Sequence, residues 1–107
     1  MPGIVELKSG MRLRSQVCST EVIVIRPGTR PIQLECGGTP MTPMDVARMT
    51  GGKPEARFSR GSKLGKRYTH PQDDSLEILV SKEGAGSLSD GPVELVLKQT
   101  RPLPASD

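Results

Sequence analysis

Apolar and β-branched residues occur in short stretches separated by Gly and Pro, a pattern typical of β-strands rather than helices. The clearest stretch is Thr20–Arg26 (TEVIVIR), which is apolar on both faces and predicts a strand covered twice, by its own core and by another layer or subunit. Pro27-Gly28 predicts a turn, and Pro31–Glu35 (PIQLE) predicts the returning strand of a hairpin. The other predicted strands are Ile4–Leu7, Met11–Val17, Lys66–Thr69, Leu76–Ser81 and Val93–Lys98. The pattern therefore predicts an all-β protein.

A change of composition after Thr42 divides the chain. Met44–Met49 predicts at most a turn or two of helix, which Gly51-Gly52 and Pro54 end. More than about 12 to 15 structureless residues are unusual inside a compact domain, which indicates a linker or a long functional loop. We therefore predict four parts: an N-terminal β unit at 1–44, a basic Gly/Pro-rich linker or loop at 45–64, a second β unit at 65–99 and an extended tail at 100–107.

The two units resemble each other. Gly10–Leu13 matches Gly65–Tyr68, and Glu21–Val24 matches Glu77–Val80, while Gly38–Met41 matches Asp90–Val93 only after a small slip. We interpret this as an internal duplication whose two hairpin units pack about a pseudo-two-fold axis into a small sandwich or barrel. The alternative is that any two hairpins with Glu, β-branched runs and a Gly turn align equally well.

Composition and charge limit the function. With 107 residues, one Tyr, one Phe and no Trp, the chain predicts a small core of Val, Ile, Leu and Met and no large enclosed active site. No apolar run reaches the roughly 18 residues of a membrane span, so we expect a cytoplasmic protein without a membrane partner.

The formal charge is +3, and one segment holds seven basic residues against the single acid Glu55: Arg48, Lys53, Arg57, Arg60, Lys63, Lys66 and Arg67. We expect this segment to dock on an acidic partner; nucleic-acid binding is the alternative, with only Phe58 and Tyr68 available for stacking on bases.

The only two cysteines lie at the ends of the stretch Ser15–Met41, SQVCSTEVIVIRPGTRPIQLECGGTPM. This stretch, about a quarter of the chain, resembles desulforedoxin and the N-terminal domain of desulfoferrodoxin, which have a C-x-x-C pair, a strand, a Gly-rich turn, a second strand and then C-C-G-x-x-M. Cys18 and Cys36 match one cysteine of each pair, whereas Ser15 and Gly37 stand at the other two positions.

In that family four thiolates hold one iron, and the unit is a homodimer. The resemblance here implies the fold and not the activity, because Ser15 and Gly37 do not replace two thiolates. The chain has a single histidine, His70, so it cannot form the multi-histidine iron site of desulfoferrodoxin.

Four states of the thiols remain open. Cys18 and Cys36 are a reduced structural pair, a disulfide, zinc ligands helped by His70, by Asp73 or Asp74 or by a second subunit, or redox or nucleophilic thiols. Iron is the alternative to zinc as a metal bound by Cys18, Cys36 and His70. Our main expectation is that the protein binds no cofactor. The simpler interpretation of His70 is that it lies in a solvated turn.

No nucleophile and base stand together in the sequence, so we expect a non-catalytic accessory or protein-interaction module with a vestigial metal knuckle, which docks on a larger protein or on itself. The alternatives are a zinc- or iron-binding protein or thiol redox carrier that uses Cys18 and Cys36, and a nucleic-acid-binding protein that uses the segment 48–67.

Overall fold

The computed structural model describes residues 6–48 and 51–98 and confirms an all-β fold built from two antiparallel sheets. The strands are β1 (Arg12–Arg14), β2 (Glu21–Pro27), β3 (Leu34–Cys36), β4 (Thr39–Pro40), β5 (Thr42–Pro43), β6 (Arg67–His70), β7 (Asp73–Lys82), β8 (Leu88–Asp90), β9 (Val93–Glu94) and β10 (Val96–Leu97). The larger sheet has the strand order β10-β6-β7-β2-β1-β5 and the smaller one the order β4-β3-β8-β9, so the arrangement is a sandwich with open edges rather than a closed barrel. A short 3-10 helix covers Ala56–Phe58, and within the described ranges we find no helix with the length and apolar character needed to span a membrane.

The core lies against one face of the larger sheet. Along β2, Val22 and Val24 are completely buried, and on the neighbouring β7 the same is true of Ile78 and Val80. Side chains that alternate with them, such as Ile23, are only partly buried. The two central strands thus have one fully buried apolar face and one that is partly exposed, as expected when successive side chains point to opposite faces.

The two halves of the sheet repeat each other in register. In the first half Arg12 pairs with Ile23, and in the second Arg67 pairs with Leu79, which are the equivalent positions in the sequence. Ile23 and Leu79 also pair with each other where β2 meets β7. A pseudo-two-fold axis therefore passes through the centre of the larger sheet, as the sequence repeat predicts.

The smaller sheet follows the same axis. In its two hairpins, Cys36 of β3 pairs with Thr39 of β4, and Asp90 of β8 pairs with Val93 of β9. Between the hairpins, β3 pairs with β8, where Glu35 lies opposite Ser89. The backbone hydrogen bonds between the halves come in matched pairs as well: Gly37 N donates to Ser87 O at 3.0 Å, and Gly91 N donates to Gln33 O at 3.0 Å. These contacts align Met41 with Leu95, so the match of Gly38–Met41 with Asp90–Val93 was out of register by two residues.

The predicted hairpin between Thr20–Arg26 and Pro31–Glu35 is wrong. β2 pairs with β1 on one edge and with β7 on the other, so no edge of β2 remains for β3, which lies in the smaller sheet. The last predicted strand, Val93–Lys98, is likewise two strands, because β9 belongs to the smaller sheet and β10 to the larger one, with buried Leu95 at the change of sheet.

Other boundaries also differ from the prediction. The strand predicted at Met11–Val17 is limited to Arg12–Arg14, Leu7 lies outside a strand, and Met44–Arg48 forms no helix. The remaining parts of the predictions for Ile4–Leu7 and Met44–Met49 (residues 4, 5 and 49), and the tail at 100–107, lie outside the described residues. Between the units, Phe58 is buried, Glu55 N donates to Gly37 O at 2.9 Å and Ser87 N donates to Phe58 O at 2.7 Å. The segment that joins the units therefore packs on both of them.

Candidate functional site: a thiol pair between the two halves

The loop between β1 and β2 positions the first thiol. Ser15 N donates a hydrogen bond to Thr20 O at 2.9 Å, which closes the loop, and Ser15 Oγ accepts hydrogen bonds from Val17 N and Cys18 N at 3.1 Å each. Ser15 is completely buried. Its side chain thus satisfies backbone donors inside a tight loop, as short hydroxyl side chains often do, and this fixes the direction of Cys18.

Cys18 and Cys36 lie side by side, as their spacing around the predicted knuckle suggested. Their Sγ atoms are 3.6 Å apart, and the two cysteines are not bonded to each other. Cys36 is completely buried at the end of β3, whereas Cys18 is partly exposed. Only one member of the pair is therefore open to solvent.

Polar groups surround the exposed sulfur. Cys18 Sγ lies 3.2 Å from Ser15 Oγ and 3.3 Å from Thr20 Oγ1, and Gly86 N donates to it at 3.4 Å. Two hydroxyls, one backbone N–H and the Cys36 thiol thus lie within hydrogen-bond distance of this sulfur. Hydrogen bonds to the charged form of an acid favour that form.

The pKa values of the two thiols move in opposite directions. The hydrogen bond from Cys36 is the main reason why the pKa of Cys18 is well below its usual range; burial opposes this effect, and the Ser15 and Thr20 hydroxyls add to it. The same hydrogen bond raises the pKa of Cys36, and burial raises it further. The shared hydrogen bond thus favours the negative charge on Cys18 and the proton on Cys36.

Backbone from the second half closes the site. A Cβ added to Gly86 would lie 2.9 Å from Cys36 Sγ, and one added to Gly84 would lie 2.3 Å from Thr20 Oγ1. Ser62 continues this contact, because its Oγ lies 3.0 Å from Thr20 Oγ1 and donates to Gly86 O at 2.5 Å. The site is therefore built by both halves and by the segment that joins them.

His70 lies in the equivalent corner of the second half. Gln72 N donates to His70 Nδ1 at 2.9 Å, so the other ring nitrogen carries the hydrogen and donates to Asp90 Oδ2 at 3.1 Å. In the repeat His70 matches Ser15, and Asp90 matches Cys36. Across residues 6–48 and 51–98, no three His, Cys, Asp or Glu side chains form a group that could hold a metal ion, so an ion on Cys18 and Cys36 needs ligands from elsewhere.

The seven basic residues of the segment 48–67 are all exposed but differ in their contacts. Arg60 pairs with Glu94, Arg67 pairs with buried Glu77 at 2.6 Å, and Arg57 pairs with Glu55 at 3.4 Å. Arg48 donates to Cys18 O at 2.6 Å, which brings one cation to the backbone of the loop that holds this thiol. The ion pairs of the other three arginines reduce the net positive charge of this segment.

Comparisons with protein-family models, with curated proteins and with solved structures found no match. The relationship to desulforedoxin stays a prediction. The sequence pattern singled out both cysteines and His70, and it named Ser15 only as the position of a missing ligand. It assigned no part in the site to Thr20, Ser62, Gly84 or Gly86. The double glycine in Gly84-Ala85-Gly86 was a visible signal, although it indicated a turn and not the chain segment that would pack against it.

Proposed function

We propose that this protein is a small thiol–disulfide carrier, in which Cys18 is the attacking thiol and Cys36 the resolving thiol. The observation that carries the proposal is the sulfur–sulfur distance of 3.6 Å between one partly exposed and one buried cysteine. A cysteine that is stabilised as a thiolate and accessible to solvent fits the usual environment of a reactive thiol. The structural-pair alternative does not require this difference between the two sulfurs.

The reaction balances with a disulfide of small-molecule or protein origin as the oxidant. The Cys18 thiolate attacks one sulfur of the disulfide, which forms a mixed disulfide on Cys18 and releases the first thiolate. Cys36 then attacks Cys18 Sγ while its proton passes to a released thiolate, and the second thiolate departs. The two protein thiols lose two electrons and the external disulfide gains them; reduction of the protein reverses these steps.

The surroundings assign the two roles. Gly86 backbone covers Cys36, so an external disulfide reaches Cys18 first. Bond formation between the cysteines requires the sulfurs to approach from 3.6 Å to about 2.05 Å, a movement that side-chain and loop adjustment can supply. Cys18 lies in the loop between β1 and β2, whereas Cys36 belongs to β3, so we assign the adjustment to Cys18.

The test exposes reduced protein to buffers of graded reduced and oxidised glutathione, followed by alkylation and mass spectrometry. We expect the wild type to form an internal disulfide, Cys36→Ser to accumulate the mixed disulfide on Cys18, and Cys18→Ser to form neither at a comparable rate. A wild type that stays fully reduced in the most oxidising buffer, or a Cys18→Ser variant that reacts as fast as the wild type, would contradict the proposal.

A second candidate is the predicted protein-interaction module, with a second copy of the chain as the partner. Val96 and Leu97 are 45% and 47% exposed in β10, the outermost strand of the larger sheet, and Val93 is 36% exposed in β9, the outermost strand of the smaller sheet. Exposed apolar edge strands are ready to pair with another strand.

The second candidate predicts a concentration-dependent dimer in sedimentation equilibrium that Val96→Lys combined with Leu97→Lys abolishes. Leu64→Lys is the matched control, because Leu64 is 59% exposed in a turn and not on a sheet edge. A wild type that remains monomeric at high concentration rules out self-association through this edge.

A further inference from the structure

We infer that the preferred reaction partner of Cys18 is an anionic disulfide, one that carries carboxylates close to its sulfurs, and that Arg48 and Lys53 attract it. This inference rests on the proposed function and adds the substrate class. It follows from the position of two exposed cations beside the loop that holds the accessible thiol.

Arg48 contacts the loop that holds Cys18 directly. Its Nη2 donates to the carbonyl oxygen of Cys18 at 2.6 Å, and the side chain is otherwise exposed. Because this contact is with a neutral carbonyl group, the positive charge of Arg48 is not neutralised by it and remains available to a molecule that approaches this loop from solvent.

Lys53 is held near the same loop by its two neighbours. A Cβ added to Gly52 would lie 2.9 Å from Val17 Cγ1, and a Cβ added to Gly37 would lie 2.7 Å from Val17 Cγ2 and 3.0 Å from Pro54 Cβ. The backbone on both sides of Lys53 thus packs against Val17, the residue before Cys18, and against the turn after Cys36. Lys53 itself is exposed.

The acids around this site do not cancel the two cations by contact. Among residues 6–48 and 51–98, neither Arg48 nor Lys53 belongs to an ion pair. Glu55 pairs with Arg57. Glu83 is an exposed acid whose backbone oxygen accepts a hydrogen bond from Ser19 Oγ, and it forms no ion pair with Arg48 or Lys53. Arg48 and Lys53 therefore keep their positive charges on their side of the loop.

The test measures the second-order rate at which Cys18 reacts with three disulfides of different charge. The probes are dithiobis-nitrobenzoate (anionic), dithiodipyridine (neutral) and cystamine (cationic), and each rate is divided by the rate of the same probe with mercaptoethanol. The test variant is Arg48→Gln combined with Lys53→Gln. The matched control is Arg30→Gln combined with Lys66→Gln, which removes two exposed charges outside this loop contact.

We expect the wild type and the control to prefer the anionic probe at low ionic strength. In the test variant that preference falls by about fivefold to tenfold, the combined effect expected from two unit charges beside the loop that holds the sulfur, while the rate with the neutral probe is unchanged. Added salt reduces the preference of the wild type in the same direction.

Two other results overturn the inference and leave the proposed function standing. One is equal normalised rates with all three probes in the wild type, and the other is a preference for the anion that the test variant retains. If Cys18 reacts with none of the disulfides, the proposed function fails and the inference fails with it.

Discussion

Gly84→Ala provides a quantitative test of the contact between the two halves at the thiol site. A Cβ at this position would lie 2.5 Å from Thr20 N and 3.1 Å from Cys18 Sγ. Because ordinary contacts begin near 3.4 Å, the Gly84 and Thr20 backbones must move apart by about 0.9 Å. This movement also strains the bridge in which Ser62 N donates to Gly84 O at 2.9 Å and Gly84 N donates to Ser62 O at 3.3 Å.

The expected cost has two parts. Overpacking against backbone that cannot rotate away costs about 1 to 3 kcal/mol, and losing two backbone hydrogen bonds adds about 1 kcal/mol each. The sum is about 3 to 5 kcal/mol, a large fraction of the roughly 5 to 15 kcal/mol that stabilises a domain of this size. We expect a melting temperature lower by at least about 10 °C.

Urea denaturation under reducing conditions, followed by circular dichroism, measures the free energy of unfolding directly. Gly65→Ala is the control, because Gly65 has φ of +79° and no atom within 4 Å of an added Cβ. In that variant the only expected cost is the strain of placing alanine in the left-handed conformation, about 1 to 2 kcal/mol. If Gly84→Ala is no less stable than Gly65→Ala, the second half does not press against the thiol loop and the architecture of the site is wrong.

Three further predictions concern ionisable groups. Cys36→Ala should raise the pKa of Cys18 because it removes the hydrogen bond with the largest effect, and the pH dependence of alkylation by iodoacetamide should shift upward; an unchanged profile contradicts the assigned pair. The raised pKa of Cys36 stabilises the fold below the thiol pKa of the unfolded chain, so the free energy of unfolding should decrease above about pH 8.5 in the wild type and less in Cys36→Ala, as denaturation between pH 7.5 and 10 can measure. Glu77, whose pKa is lowered by Lys98 and Arg67, should stabilise the fold above its unfolded pKa of about 4.3 and lose this contribution as the pH falls further, so Glu77→Gln should be less stable than the wild type at pH 7, with a difference in the free energy of unfolding that narrows as the pH falls below about 4.3.

The strands were predictable where the pattern of the chain itself determines them. Thr20–Arg26 and Leu76–Ser81 became the two long central strands because β-branched and apolar residues favour a half-buried sheet wherever they pair. The repeat between the halves was also visible, since equivalent strands carry equivalent residues at matching positions. Pairing was harder: a turn at Pro27-Gly28 suggested that β2 returns on itself, and only the competition of β1 and β7 for its edges sent β3 to the other sheet.

The candidate site was predictable only in part for the same reason. The spacing of Cys18 and Cys36 indicated a knuckle, and the proximity of their sulfurs agrees with that expectation even though the hairpin that led to it does not exist. The groups that set the chemistry of Cys18 come from places that no local pattern connects, such as Ser62 and the backbone of Gly86. His70 shows the converse, because its neighbour in space is Asp90 and not the thiols.

The pseudo-two-fold axis relates the thiol site to the equivalent site around His70, and each copy of the repeat contributes to the thiol site. Cys18 and Cys36 come from the first copy of the repeat, while Gly84 and Gly86, which cover them, come from the second. A polypeptide with a single copy of the repeat would thus need a second molecule to complete this site, and the resulting dimer would contain two identical sites. Joining both copies in one chain makes the two sites independent, so that sulfur occupies one and an imidazole with its carboxylate occupies the other.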